Sequence, residues 1–324
     1  MITTVTLNPS LDRTINVNGL KTGESNRWSS LRSYAGGKGI DVSRAVHEIG
    51  GQTVAYGFIG GSEGRMLEIL LDEEGVLFSF TPVEQPTRTN FIINDSRKRQ
   101  QTIINAAGPH ISRKELDRFL EKVRRISPPP DAMVISGSVP PGVPVDIYYS
   151  IIMETKRNNK VRTILDATGQ WLSEGIKARP HLIKPSIHEA EQLLDTGLHT
   201  EEAIIKAAFE LVDMGIEVVV ISRGKDGMIS ATKKCVCKAV PPPVKVKSAV
   251  GAGDCAIAGL TLKLTAGEQL VEACRWGTAM GTAAVLTPGT ELCHRTDVEQ
   301  ILPQIKVWEI PARPRSKAFF PADN

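Results

Sequence analysis

The chain has 324 residues, 41% of them hydrophobic and 23% charged, which supplies a full core for one large α/β domain or two ordinary ones. Its 39 Lys and Arg against 36 Asp and Glu leave a net charge of +3, too small a surplus for a dedicated nucleic-acid binder. No apolar run reaches the length of a membrane span, the N-terminus lacks a signal-peptide pattern, and five cysteines without zinc-ribbon spacing suit free thiols in a reducing cytoplasm.

Residues 1–7 read as a first strand stopped by Asn8 and Pro9. Asp12 therefore falls just past a strand end, the side on which open α/β sheets bind ligands, although taken alone it reads as a turn aspartate. Residues 13–35 lack a helical period and suit short strands outside the main sheet. Ala35-Gly36-Gly37-Lys38-Gly39 then opens a helix whose apolar face is traced by Ile40, Val42, Ala45, Val46 and Ile49 and which stops at Gly50. The loop is neither a Walker A motif nor a dinucleotide fingerprint, which also removes a dehydrogenase reading. A strand at 53–59 and a helix at 63–74 follow, and residues 76–105 again read as strands with turns. There Arg97-Lys98-Arg99 forms a solvated hairpin tip, and Arg88 suits a surface role or a phosphate equally.

From residue 112 the pattern alternates regularly. Helices at 114–125, 145–157, 187–194 and 201–214 separate strands at 132–135, 161–165, 181–183 and 217–222, which predicts a parallel sheet with right-handed crossovers. The loops after these strands share one edge and carry Ser136-Gly137, Asp166, Lys184 and the run from Ser222 to Gly227. Residues 228–231 and 235–240 predict an antiparallel hairpin at a sheet edge. The tail from Pro311 is proline-rich and aperiodic, and reads as flexible.

Between that hairpin and a helix of small residues at 273–286 stands Val250-Gly251-Ala252-Gly253-Asp254, followed by an apolar helical run. Glycines that open a helix let a ligand approach its unpaired N–H groups, where the dipole favours phosphate. A first-turn carboxylate, Asp254, could take the proton of a hydroxyl attacking that phosphate. The plain alternative is a glycine turn followed by an aspartate that favours the helix dipole.

Four motifs carry a resemblance: Thr6-Leu7-Asn8-Pro9-Ser10-Leu11-Asp12, the glycine loop at 36–39, Ser136-Gly137-Ser138-Val139-Pro140-Pro141-Gly142, and Val250 to Asp254. In order and spacing they resemble the ribokinase-like sugar kinases, most closely the phosphofructokinase B branch, over about residues 1–305. The resemblance implies a three-layer αβα sandwich on a mostly parallel sheet, spanning 1–310, with a small β lid drawn from about 13–35 and 76–105 that clasps a second lid into a homodimer. It implies ATP and a sugar phosphate as substrates and Mg²⁺ held with help from Glu189, and it allows K⁺ near Val250 and Thr287. By the same likeness Asp254 is the base and Gly251, Ala252 and Gly253 the anion hole. Asp12, Arg27, Gly37, Gly39, Asp41, Arg88 and Ser138 match sugar-phosphate positions, and Lys184, Ser186, Ser222, Gly224, Gly227, Ser248 and Thr282 match the ATP site.

Two departures stand out. Asp41 and Ser186 occupy positions where the family usually has asparagine. The C-terminal half looks most like 6-phosphofructokinases, whereas the lid segment around Ile103, without their arginine, looks more like 1-phosphofructokinases and tagatose-6-phosphate kinases. A kinase of an unphosphorylated sugar or nucleoside, and a non-catalytic sugar-phosphate-binding protein on the same fold, are the remaining readings.

Overall fold

The computed structural model describes residues 1–158 and 160–311. Strand β1 (Ile2–Thr6) is separated by three residues from β2 (Ser10–Val17); β3 (Ser30–Gly36) returns beside β2 and passes through Gly37 into α1 (Lys38–Glu48). Next come β4 (Thr53–Ile59), α2 (Gly61–Glu73) and β5 (Leu77–Pro82), then the hairpin of β6 (Arg88–Asp95) and β7 (Gln100–Ile104). The alternating part comprises α3 (Arg113–Arg124), β8 (Ala132–Ser136), α4 (Ile147–Thr155), β9 (Arg162–Asp166), α5 (Gly169–Gly175), β10 (Leu182–Ile183), α6 (Ile187–Leu194), α7 (Glu201–Asp213) and β11 (Val218–Ser222). A second hairpin, β12 (Met228–Ala231) and β13 (Cys235–Val240), precedes α8 (Ala252–Thr265), α9 (Leu270–Ala284), α10 (Arg295–Ile301) and β14 (Lys306–Pro311).

Among the described residues the main sheet runs β14-β13-β12-β11-β10-β9-β8-β1-β4-β5, parallel from β11 to β5 and antiparallel at the β12–β14 edge. Its central strands are covered on both faces, so β8 reads Ala-Met-Val-Ile-Ser and is buried at every position. One core, around Phe58, Phe119 and Tyr148, includes α3 and α4; the other, around Ile257, Leu260 and Met280, includes α8 and α9. The parallel sheet follows the alternation, and the three layers are those the resemblance implies. A small sheet of order β3-β2-β6-β7 stands apart from it. No helix among the described residues is long and apolar enough to cross a membrane.

The small sheet departs from expectation at one end. Residues 77–82, expected in the lid, pair in parallel with β4 as the edge strand β5, because β4, α2 and β5 complete a crossover unit of their own. The lid's second segment is therefore β6 and β7 alone. Asp12 lies past β1 as expected, but on β2 rather than in a loop. The elements α10 and β14 were not foreseen, and β14 carries the folded region one residue past the expected boundary at 310. The tail at 312–324 lies outside the described residues.

Candidate active site

The N-terminus of α8 is built for an anion. Its cap, Gly251, has φ +79°, in the left-handed region, and a β-carbon there would collide with Leu292, so glycine alone fits. Among the described residues no side chain caps the helix, which leaves its first N–H groups for a ligand. Asp254, in the first turn, is buried, and its Oδ1 has no hydrogen-bond partner among the described residues. Burial pushes its carboxyl up to about 7; Asp166 adds to the shift, and Lys38 and Lys184 oppose it. A purely structural aspartate in this turn would be paired, since an orphaned buried acceptor costs about 1–3 kcal/mol.

Two lysines and one carboxylate lie beside it. Asp166 ends β9 and is 2% exposed at its side chain; Lys38 Nζ donates to its Oδ2 at 3.2 Å and Lys184 Nζ lies 3.5 Å from its Oδ1. Burial alone would raise the Asp166 carboxyl, but Lys184 and then Lys38 outweigh it and hold it below the usual range. Asp166 in turn raises Lys38 far above the ordinary lysine value, against the effect of burial. Lys184 Nζ also stands over the helix opening, 3.5 Å from where a β-carbon on Gly253 would be. Two ammonium groups and a helix N-terminus thus set positive potential where a transferring phosphate would sit.

From this centre a cleft of about 610 Å³ opens along α8 and α9. Lys184, Ser222, Gly224, Gly227, Ala252, Gly253 and Thr282 line it, and Pro241, Pro242, Pro243, Val244, Val246 and Val285 give it an apolar wall. A charged glycine-rich end and an apolar slot suit a nucleotide's phosphates and base. Ser248 and Ser186, expected with these residues, are tied to the protein by their own hydrogen bonds. Ser248 Oγ donates to the Gly289 carbonyl at 2.9 Å. Ser186 caps α6 in a capping box, its N–H and Oγ both donating to Glu189 Oε2, at 2.7 and 2.9 Å.

The small sheet supplies the opposite wall. Asp12 on β2 is buried and accepts hydrogen bonds from Ser10 Oγ at 2.7 Å and Asn90 Nδ2 at 2.9 Å. Burial raises its carboxyl against the effect of those bonds and of Arg88 and Arg44. The turn into α1 comes so close that a β-carbon on Gly36 would strike the Asp12 carboxylate. Arg88 donates to the carbonyls of Ala106 and Asn8, both at 2.9 Å, and stands 3.5 Å from Ser138 Oγ, which Asn8 also reaches. These partners are neutral, so the guanidinium charge is available to an anion. Gly37 caps α1, and Gly39 lies against Thr6.

Asp41 is buried in the first turn of α1, 3.3 Å from Arg44, which also grips Glu74 at 2.7 and 2.8 Å. Burial raises the Asp41 carboxyl well above the usual range; Asp254 and Asp12 add to this and Arg44 opposes it. Arg27 is exposed on the β2–β3 loop, outside these clusters. Val250 and Thr287 sit in the turns around the α8 cap; Thr287 Oγ1 donates to the carbonyls of Ala284 and Leu292, both at 2.8 Å. Lys38, Asn90 and Arg44 were not singled out from the sequence, and Asp166 was noted only as a loop residue. A lysine between glycines at a helix start was the signal available for Lys38.

Comparison with known proteins gives the family and the fold. Residues 5–297 match the family model described as pfkB family carbohydrate kinase. The ATP-dependent 6-phosphofructokinase isozyme 2 of Mycobacterium tuberculosis is 37% identical over 97% of this chain and 90% of its own length. The 1-phosphofructokinase of Bacillus subtilis is 35% identical over 96% of this chain and 100% of its own. Phosphofructokinase-2 from Escherichia coli, crystallised in complex with potassium, superimposes with a TM-score of 0.89 at 33% identity, covering 94% of this chain and 98% of that one.

Proposed function

The chain belongs to the pfkB family of carbohydrate kinases, phosphotransferases of the αβα-and-lid architecture described above, and on that premise we propose that it moves the γ-phosphate of ATP to a hydroxyl of a ketohexose phosphate, with fructose 6-phosphate as the leading acceptor. The observation that carries this reading is Asp254: a buried carboxyl pushed up to about 7, whose Oδ1 has no partner among the described residues, in the first turn of an uncapped helix beside two lysines.

In the proposed reaction ATP lies in the α8–α9 cleft with its γ-phosphate over the first N–H groups of α8. Lys184 and Lys38 neutralise the charge that builds on the phosphoryl oxygens. Asp12 and Asn90 orient the sugar hydroxyls, and Arg88 takes the sugar's own phosphate. Asp254 accepts the proton of the attacking hydroxyl. Mg²⁺ fits the donor set, because Glu189 has one oxygen taken by its capping box and one left, and magnesium uses a carboxylate plus waters and substrate phosphates. Glu189 would help to hold the ion with ATP, and the charge it would supply there is neutralisation of the phosphate oxygens. A K⁺ near Val250 and Thr287 completes the proposal; there the Thr287 hydroxyl already draws the Ala284 and Leu292 carbonyls together.

Asp41 need not repel the substrate. Burial pushes its carboxyl well above the usual range, and a carboxyl that carries a proton offers one O–H donor and one acceptor, as the family's asparagine amide does. Ser186 likewise keeps the helix cap that holds Glu189 in place. A homodimer through the lids is consistent with the sheet face away from Asp12, where Leu31, Ile15 and Ile93 align in one row and Phe91 and Ile104 in the next, with Leu31, Phe91 and Ile104 exposed.

The second reading, 1-phosphofructokinase or tagatose-6-phosphate kinase, is favoured by Ile103. It shares the face of Asp12 and Asn90 and is exposed there, where an arginine would have reached a phosphate. A coupled ADP-release assay with Mg-ATP, run with and without K⁺ on fructose 6-phosphate, fructose 1-phosphate, tagatose 6-phosphate, fructose, ribose and adenosine, separates the readings. Turnover on a ketohexose phosphate is expected; turnover on adenosine or an unphosphorylated sugar alone would overturn the proposal. Arg88→Ala should raise KM for the phosphorylated acceptor at least tenfold while kcat changes less than threefold; an unchanged KM would remove Arg88 from the phosphate site.

A further inference from the structure

At the sheet edge, β13 and β14 bring together a set of side chains that the proposed reaction does not use. Cys235 and Cys237 are two residues apart on β13 and so point to one face. Glu309 on β14 pairs directly with Cys237 and shares that face. The two sulfurs and a Glu309 carboxylate oxygen all lie within 4.8 Å of one another. Behind them Cys274 on α9, fully buried, hydrogen-bonds to Cys237 and donates to Ser230 Oγ at 3.1 Å. Cys235 is half-buried and Glu309 exposed, which leaves a path from solvent.

We propose that Cys235, Cys237 and Glu309 form a binding site for a thiolate-preferring divalent cation of the Zn²⁺ type, clamped between β13 and β14. Zinc bonds of about 2.3 Å to sulfur and 2.0–2.2 Å to oxygen place tetrahedral ligand atoms about 3.5 Å apart. The group therefore needs only a small contraction to close on the metal. Two thiolates and a carboxylate match the preference of zinc, whereas magnesium and calcium seek oxygen. The fourth position faces solvent, and Cys274 and Ser230 buttress the buried sulfur from behind. Binding releases one proton from each of the two thiols. The Cys-x-Cys spacing looks unlike a zinc motif in the sequence because the third ligand comes from a strand more than 70 residues later.

The test uses the full chain, reduced with a non-chelating phosphine and stripped of metal. Titration with Co²⁺ alone should produce a thiolate-to-cobalt charge-transfer band that saturates at one equivalent per chain and is displaced by Zn²⁺. Cys235→Ser should abolish the band and Glu309→Gln should weaken cobalt binding at least tenfold, with kinase turnover and circular dichroism unchanged in both. Cys237→Ser gives the same loss if it folds; the half-buried Cys235 and exposed Glu309 carry the test if it does not. A wild-type chain without the band, or a band that survives at full intensity in Cys235→Ser, overturns the proposal.

Discussion

Asp254→Asn is expected to lower kcat about 10³-fold while leaving the dissociation constant of the sugar phosphate within threefold, because the amide keeps the shape but cannot take the proton. The wild-type pH profile carries the same signature. With a pKa of about 7, Asp254 is protonated and idle below neutrality, so kcat/KM should rise with pH through about 7 and then level off. The stability effect has the opposite sign. A carboxyl raised from about 3.9 in the unfolded chain to about 7 in the folded one binds more protons folded than unfolded between those values, so folding weakens as pH climbs through that window. At pH 8 the asparagine variant should therefore melt at a higher temperature than the wild type. A variant with normal turnover, or a wild-type profile flat from pH 6 to 8, would show that the proton goes elsewhere. The base is thus held at a cost to the fold, as expected of an active-site group.

Asp166→Asn is the second large effect, and it acts on both stability and chemistry. The substitution keeps volume but leaves Lys184, which is buried, and Lys38 without their counter-charge. Breaking a buried pair costs about 3 kcal/mol at the lower end of measured cases, and roughly 2–4 °C per kcal/mol then gives a Tm about 6–12 °C lower. Because Asp166 is held below the ordinary carboxylate range, its contribution is complete above about pH 3.9 and is lost as the pH falls through its folded-state value. The gap between wild type and variant should therefore close in acid. The chemical readout is separate. Asp166 is one of the charges that raise Asp254, so its removal should move the acid limb of the pH–rate profile below 7. A lower Tm with an unmoved limb would leave Asp166 a structural role alone.

What could be read in advance divides along a physical line. The βα alternation from 112 to 222, the edge hairpin and the helix after Gly251 were legible because hydrophobic period and glycine position are local properties. The strand β14 was not: Lys-Val-Trp-Glu-Ile-Pro is short and ends in proline, and its pairing with β13 is made across about 70 residues. The misassigned strand β5 has the composition of a lid strand, and only its partner β4 decides which sheet it joins. In the site, motif residues such as Asp12, Lys184 and Asp254 could be marked from the sequence. The meaning of Asp166 could not, because it lies in two ion pairs, one with a lysine 128 residues away. Ser186 and Ser248, marked for ATP, also hold a helix cap and a backbone carbonyl, roles that only hydrogen-bond partners reveal.

The way the small sheet is attached has a mechanical consequence. Three residues join β1 to β2, and one joins β3 to α1, the helix that carries Lys38 and Asp41. Joints this short transmit displacement with little slack, so a tilt of the small sheet reaches the charged centre as a push on α1. The loops at residues 18–29 and 96–99, at the sheet's far end, lie outside that linkage. In a family-wide comparison of lengths, those distal loops should vary freely, while the two joints should hold their residue count.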